Sequence, residues 1–182
     1  MQRDDKNLII AFLNGLDESF EQLVNRYLKP IYNFLYQFTK DTDSLDDLTQ
    51  ETFIKVWKNI HKFDQSKNFR TWLYAIAKNT AYDFLKKKKT IPFSNFLDAE
   101  GDNKLEQTVE DGSSPEDVLM AQDLEKELGK KLQQLSDSHR LILLMRYKDD
   151  FSLQEISEIL NLSYNTVKSQ HTRALLALKK SL

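Results

Sequence analysis

SLQEISEILNLSYNTVKSQHTRALLALKKSL, from Ser152 to Leu182, spells a helix, a tight turn and a second, basic helix. Ser152 with Glu155 three residues on is a capping box, able to satisfy two otherwise unpaired amide donors reciprocally. Leu153, Ile156, Ile159 and Leu160 follow at helical spacing. Asn161, Leu162 and Ser163 make the break, and Ser163 can cap a second helix with an inward row of Val167, His171, Ala174, Leu175 and Leu178. Asn165, Lys168, Ser169, Thr172 and Arg173 then point outward. These donors and small polar groups suit base edges and phosphates in a major groove, and no Asp or Glu occurs from Ser163 onward. The outline is a helix-turn-helix, which makes DNA the first partner to test, although helical hairpins of this shape also serve in structural bundles.

Working outward, the 182 residues suffice for one ordinary domain or two small ones, and 40% hydrophobic with 30% charged residues is the composition of a folded soluble protein. Four Gly and three Pro give too little turn punctuation for strands, so the expected class is all-α. The absence of Cys removes disulfides and thiolate chemistry and fits a reducing cytoplasm. No apolar run is long enough to span a bilayer, and no signal-peptide pattern opens the chain.

The net charge of −2 hides a segregation. Residues 1–89 carry 15 basic against 12 acidic residues, 90–125 carry 1 against 10, and 126–182 carry 10 against 6. Phosphate responds to local basic patches, so both ends remain candidates for DNA contact. Two of the prolines and two of the glycines fall in the acidic middle, and the organisation expected is a domain over 1–89, a flexible linker over 90–115 and a helix-turn-helix domain over 116–182. Apolar Ile91, Phe93, Phe96 and Leu97 at the linker's start suit docking.

Four helices are expected in the amino-terminal part, about 5–14, 18–39, 44–62 and 69–89, with Pro30 kinking or dividing the second. A capping box from Ser44 to Asp47 opens the third, and its early acids complement the helix dipole or serve binding. The fourth carries a core stripe of Phe69, Trp72, Leu73, Ile76, Ala77, Thr80 and Phe84, flanked by Asn79, Asp83 and Lys86. The lysines from Lys86 to Lys89 complement the dipole at its end or hold a nucleic-acid backbone. Ser136 is expected to cap a further helix through Leu141, Ile142, Leu144, Met145 and Tyr147.

For catalysis there is little to work with: three scattered histidines, no paired-ligand spacing, no glycine-rich phosphate loop, and carboxylates on surfaces or in the linker. No catalytic residue, metal site or cofactor is expected.

Three blocks then carry a family likeness: Asp46-Asp47-Leu48-Thr49-Gln50-Glu51-Thr52-Phe53-Ile54-Lys55-Val56-Trp57, Phe63-Asp64, and Phe69-Arg70-Thr71-Trp72-Leu73-Tyr74-Ala75-Ile76-Ala77-Lys78-Asn79. They resemble domain 2 of bacterial extracytoplasmic-function (ECF) sigma factors. Tyr147, Phe151 to Ile156 and Thr166 to Ser169 resemble domain 4 of the same family.

The resemblance implies a two-domain, non-enzymatic cytoplasmic initiation factor whose partners are core RNA polymerase, promoter DNA and an anti-sigma factor, with no small-molecule substrate. It places Asp46, Asp47, Gln50, Glu51, Phe53 and Trp57 at the polymerase, and Phe63, Lys78, Asn79, Asp83 and Lys86 at the minus-ten element, where an extruded base is held. It also places Asn165, Lys168, Ser169, Thr172 and Arg173 at the minus-thirty-five duplex. Gln170 and His171 depart from the family pattern, which has an Arg and an aliphatic residue in many members, and for His171 packing is favoured over DNA contact. The rival readings are a helix-turn-helix regulator that works without polymerase and a helical adaptor that touches no DNA.

Overall fold

A computed structural model describes residues 4–88 and 129–180. All regular structure among them is helical: α1 Asp5–Leu13, α2 Glu18–Leu35, α3 Thr42–Asn59, a 3-10 turn Ile60–Lys62, α4 Phe69–Lys87, α5 Asp137–Leu143, a π turn Leu144–Lys148, α6 Leu153–Leu160 and α7 Tyr164–Lys180. The described residues within Met1–Pro92 and Gln154–Leu162 form one compact unit, and those within Phe93–Leu153 and Ser163–Leu182 a second. The expected linker over 90–115, Lys89 and most of the helix expected from Pro115 lie outside the described residues.

In the first unit α1 packs on α2, α2 on α3 and α4, and α3 on α4. Gly15, at φ +92, makes the turn from α1 to α2 in a region that side chains with a Cβ rarely adopt. Pro30 does not divide α2. Buried residues stand on both sides of it, Leu23 and Tyr27 before and Ile31, Phe34 and Leu35 after, so packing holds the helix together across the missing amide. Arg26 and the Tyr27 hydroxyl both donate to the Asp5 carboxylate, tying α2 to α1. Burial, then the hydrogen bond to Asp5, raises the Tyr27 phenol well above its ordinary pKa.

The start of α3 differs from expectation. Asp41, in extended conformation, is the N-cap, and Ser44 lies inside the first turn with its hydroxyl donating to the Asp41 carboxylate. That bond, then the Lys88 ammonium at 3.5 Å, lowers the Asp41 pKa. Lys88, the C-cap of α4, is thereby engaged by an acid of the same unit on its surface. Thr49 and Thr52, buried on α3, donate to the carbonyls of Leu45 (2.8 Å) and Leu48 (2.7 Å), which satisfies their hydroxyls without a partner from another helix.

In the second unit α5 packs against α7 over Leu135, Leu143 and Ala174, with Leu132, Ala177 and Leu178 alongside. Ser136 caps α5 as expected, accepting from the His139 amide at 3.4 Å. The helix then widens: the Asp149 amide donates to the Leu144 carbonyl five residues back, at 3.0 Å. Ser163 caps α7 by accepting from the Thr166 amide at 3.1 Å. Within the inward row, Val167 and Ala174 are fully buried, whereas Leu175 is exposed. Leu175 follows Ala174 by one residue, hence about 100° round the helix and off the packed face.

Candidate polymerase and nucleic-acid interfaces

Three surfaces can be built from these helices. On α3, Asp46, Asp47, Gln50 and Glu51 are exposed. Ile54 and Trp57 are exposed too, Trp57 to 55%, an unusual state for a residue of that size. Asp47, Gln50, Ile54 and Trp57 stand at i, i+3, i+7 and i+10, so one stripe runs from acid at the helix start to indole near its end. Phe53, expected on this surface, is only 9% exposed. It belongs to the row of Thr49, Thr52 and Val56 that faces the core. Ile54 was missed by sequence reasoning; its place in the spacing of the stripe was the available signal.

The second surface surrounds the loop into α4. Asp64 accepts from both the amide (3.0 Å) and the hydroxyl (2.7 Å) of Ser66, which lowers its pKa. Asn68 caps α4 by accepting from the Thr71 amide at 3.2 Å. Phe63 anchors the loop and is 8% exposed, its ring 5.6 Å from that of Phe69 and 4.9 Å from that of Trp72. Asn79, Asp83 and Lys86 are exposed along one flank of α4.

Lys78 departs from expectation: it is 6% exposed, and its ammonium lies 5.1 Å from the centre of the Tyr82 ring. Burial lowers its pKa, and the ring face offers the charge a partner within the protein. Asp83 does not stand free either. Lys55 of α3 reaches it at 3.5 Å, Glu51 at 2.9 Å and the Thr80 hydroxyl at 3.1 Å, so this lysine joins α3 to the flank of α4.

The third surface is the outer side of α7, where Asn165, Lys168, Ser169, Thr172 and Arg173 are all exposed. The Thr172 hydroxyl turns back to donate to the Lys168 carbonyl at 3.0 Å. His171 is half-buried at the edge of this row, its Nε2 3.1 Å from the Tyr147 hydroxyl. Among the described residues no cluster of His, Cys, Asp and Glu could hold a metal ion, and no helix is long and apolar enough to cross a membrane.

The Sigma-70 region 2 family matches residues 23–91 and the Sigma-70, region 4 family residues 132–180. The ECF RNA polymerase sigma factor SigW of Bacillus subtilis (strain 168) is 36% identical over 182 residues, covering 97% of this chain and 96% of that protein. The chain belongs to the ECF sigma factors of the sigma-70 family. The RNA polymerase sigma-H factor of Pseudomonas aeruginosa is 30% identical, covering 100% of this chain and 95% of that protein.

Among solved structures, the sigma factor RpoE in complex with the anti-sigma factor NepR from Bartonella quintana superimposes with TM-score 0.65 at 22% identity, covering 90% of this chain and 96% of that one. CnrH in complex with the cytosolic domain of CnrY gives 0.62 at 23%, covering 97% and 95%. At such identities these two establish a shared fold. The all-α expectation is borne out, and nothing favours the free-standing regulator. As an RNA polymerase sigma factor, the protein acts with core RNA polymerase at promoter DNA.

Proposed function

We propose a division of labour among the three surfaces. The α3 stripe docks on core polymerase, with Asp46, Asp47 and Glu51 steering and Ile54 and Trp57 anchoring. The loop from Phe63 to Asn68, with Asn79, Asp83 and Lys86, receives the minus-ten element. Capture of one unstacked base, worth about 1–3 kcal/mol, offsets the few kcal/mol of unstacking, so opening needs no nucleotide hydrolysis by this chain. Asn165, Lys168, Ser169, Thr172 and Arg173 of α7 read the minus-thirty-five duplex. This chain performs no catalysis; polymerase, and hence the sigma factor, works in the cytoplasm, and an anti-sigma protein restrains it.

The observation that carries the reading is Ile54 and Trp57 lying open on an acid-tipped helix. Core polymerase offers that surface a partner, whereas a regulator acting alone would need it only for sensing or dimerising. Run-off transcription with purified core polymerase and fragmented genomic DNA tests it: discrete transcripts sharing two upstream elements are expected only when the protein is added. Failure to bind core, together with tight duplex binding by the protein alone, would overturn it. For the restraint, a pull-down from the native cell that returned only polymerase would count against an anti-sigma partner.

A further inference from the structure

We propose that Tyr147 contacts a backbone phosphate beside the minus-thirty-five element and that His171 is the positioning residue that aims it. The inference rests on the reading of α7 as the duplex-facing helix. Tyr147 lies in the π turn Leu144–Lys148 and is 63% exposed, far more than packing requires of a tyrosine. A π turn inserts an extra residue and so rotates the side chains beyond it about the helix axis, a device common at functional sites. Tyr147, within the turn, meets α7. Its hydroxyl lies 3.1 Å from His171 Nε2, and the two rings are stacked at 28° with centroids 5.8 Å apart.

At 100° per residue, His171 falls about 60° from Lys168 and about 100° from Thr172, on the margin between the buried row and the exposed one. Tyr147 is therefore held at the edge of the duplex-facing row. A helix that enters a major groove is flanked by the two phosphate backbones, and the groups on its margins meet them.

The hydrogen-bond polarity fits. Burial, then the charge of Arg146, lowers the pKa of His171, which favours the neutral imidazole. In its Nε2–H tautomer it donates to the Tyr147 oxygen and leaves the phenolic hydrogen free for a phosphate oxygen. Two cations and two acids share this stretch: the Arg146 guanidinium lies 5.8 Å from the Tyr147 ring centre and exposed Lys148 adjoins it, while Asp149 and Asp150 follow in the chain. Arg146 pairs with Asp150 at 3.9 Å, which offsets that carboxylate's repulsion of a phosphate. The sequence places Tyr147 on the helix capped by Ser136 and favours packing for His171, and the spacing of 24 residues conceals the pair.

The test uses holoenzyme assembled from core polymerase and the full chain, with promoter duplexes carrying a neutral methylphosphonate at one position at a time around the minus-thirty-five element. Wild type is expected to lose affinity at several positions. Tyr147→Phe should bind about two- to tenfold more weakly and become insensitive at one of those positions alone. His171→Leu should reproduce that single loss, and His171→Gln, which keeps a donor near Nε2, should restore it in part. Equal sensitivity of Tyr147→Phe and wild type at every phosphate would overturn the proposal, even with Lys168→Ala still weakening binding as the duplex reading requires. Absence of any minus-thirty-five-dependent binding by wild type would overturn both. Thermal melting of each variant excludes misfolding as the cause.

Discussion

Trp57→Ala separates a docking residue from a core residue by comparison with the position next to it. Trp57 is 55% exposed and Val56 1% exposed on the same helix. If a large aromatic has roughly 200 Å² to bury, about 100 Å² of the indole remains for a partner to cover. At about 25 cal/mol per Å² that is ~2.5 kcal/mol, or a 50- to 100-fold loss of affinity for core on truncation. Val56→Ala removes two methyl-equivalents from a filled core and should cost about 2 kcal/mol of stability instead. Titration of core polymerase with fluorescently labelled protein gives the first quantity, and circular dichroism melting gives the second. Trp57→Ala should weaken core binding with a melting temperature close to wild type, and Val56→Ala the reverse. A Trp57→Ala protein that melts early yet binds core normally when folded would refute the assignment and return the indole to the core.

Lys168→Ala and Arg173→Ala should each weaken minus-thirty-five duplex binding and make the plot of log affinity against log salt shallower by about one unit, as for one lost phosphate neighbour; an unchanged slope in both would remove α7 from the DNA. His139 and His171 both have pKa values lowered, first by burial and then by Arg173 and Arg146 respectively. The unfolded chain therefore takes up protons that the folded one refuses, so their contribution is complete above pH 6.5 and is lost as pH falls towards the folded values. Melting temperature should drop on acidification from pH 7 to pH 5, and the double variant His139→Gln, His171→Gln should show a flatter dependence; an identical slope would refute the assignment. Gln170 has a buried Oε1 without a hydrogen-bond partner among the described residues. Gln170→Leu should remove that cost and raise stability by about 1–2 kcal/mol in urea unfolding, whereas a lower midpoint would show that the carbonyl is satisfied.

Legibility came from periodicity. Rows at helical spacing gave the helices within a few residues, and the α7 row Asn165, Lys168, Ser169, Thr172 and Arg173 was readable because one face of a surface helix needs no neighbour to define it. The features that escaped depend on tertiary neighbours. Lys78 is buried because Tyr82 lies one turn on and gives its charge a face to rest on. Phe53 and Trp57, four residues apart and both aromatic, diverge because the face of α3 that packs on its neighbours takes in one and leaves the other open. The cap of α3 moved from Ser44 to Asp41 because an acid stood ready upstream and Ser44 could donate to it. The Tyr147–His171 contact joins a π turn to a helix beyond it, and no spacing rule reports a widened turn.

The burial of Phe63 constrains how a base can be held. Its ring touches two others, Phe69 and Trp72, and aromatic pairs contribute about 0.5–1.5 kcal/mol each beyond their area. Stacking on an extruded base is worth about 1–3 kcal/mol. Withdrawing Phe63 from its cluster to sandwich a base would thus forfeit about as much as the base returns, and the loop anchored by that ring would loosen as well. A base received here must therefore meet the cluster intact, along the ring edges left open, with the hydrogen-bonding done by exposed groups around it. Asn79 and Asp83 lie about two and three turns beyond Trp72 on α4, with Lys55 of the neighbouring helix at 3.5 Å from Asp83, so under the proposed reading they would meet neighbouring nucleotides of the strand rather than the base at the rings. Selectivity then resides in polar contacts, where a missing donor leaves a desolvated group unpaired and discriminates far more sharply than stacking, which tolerates every base.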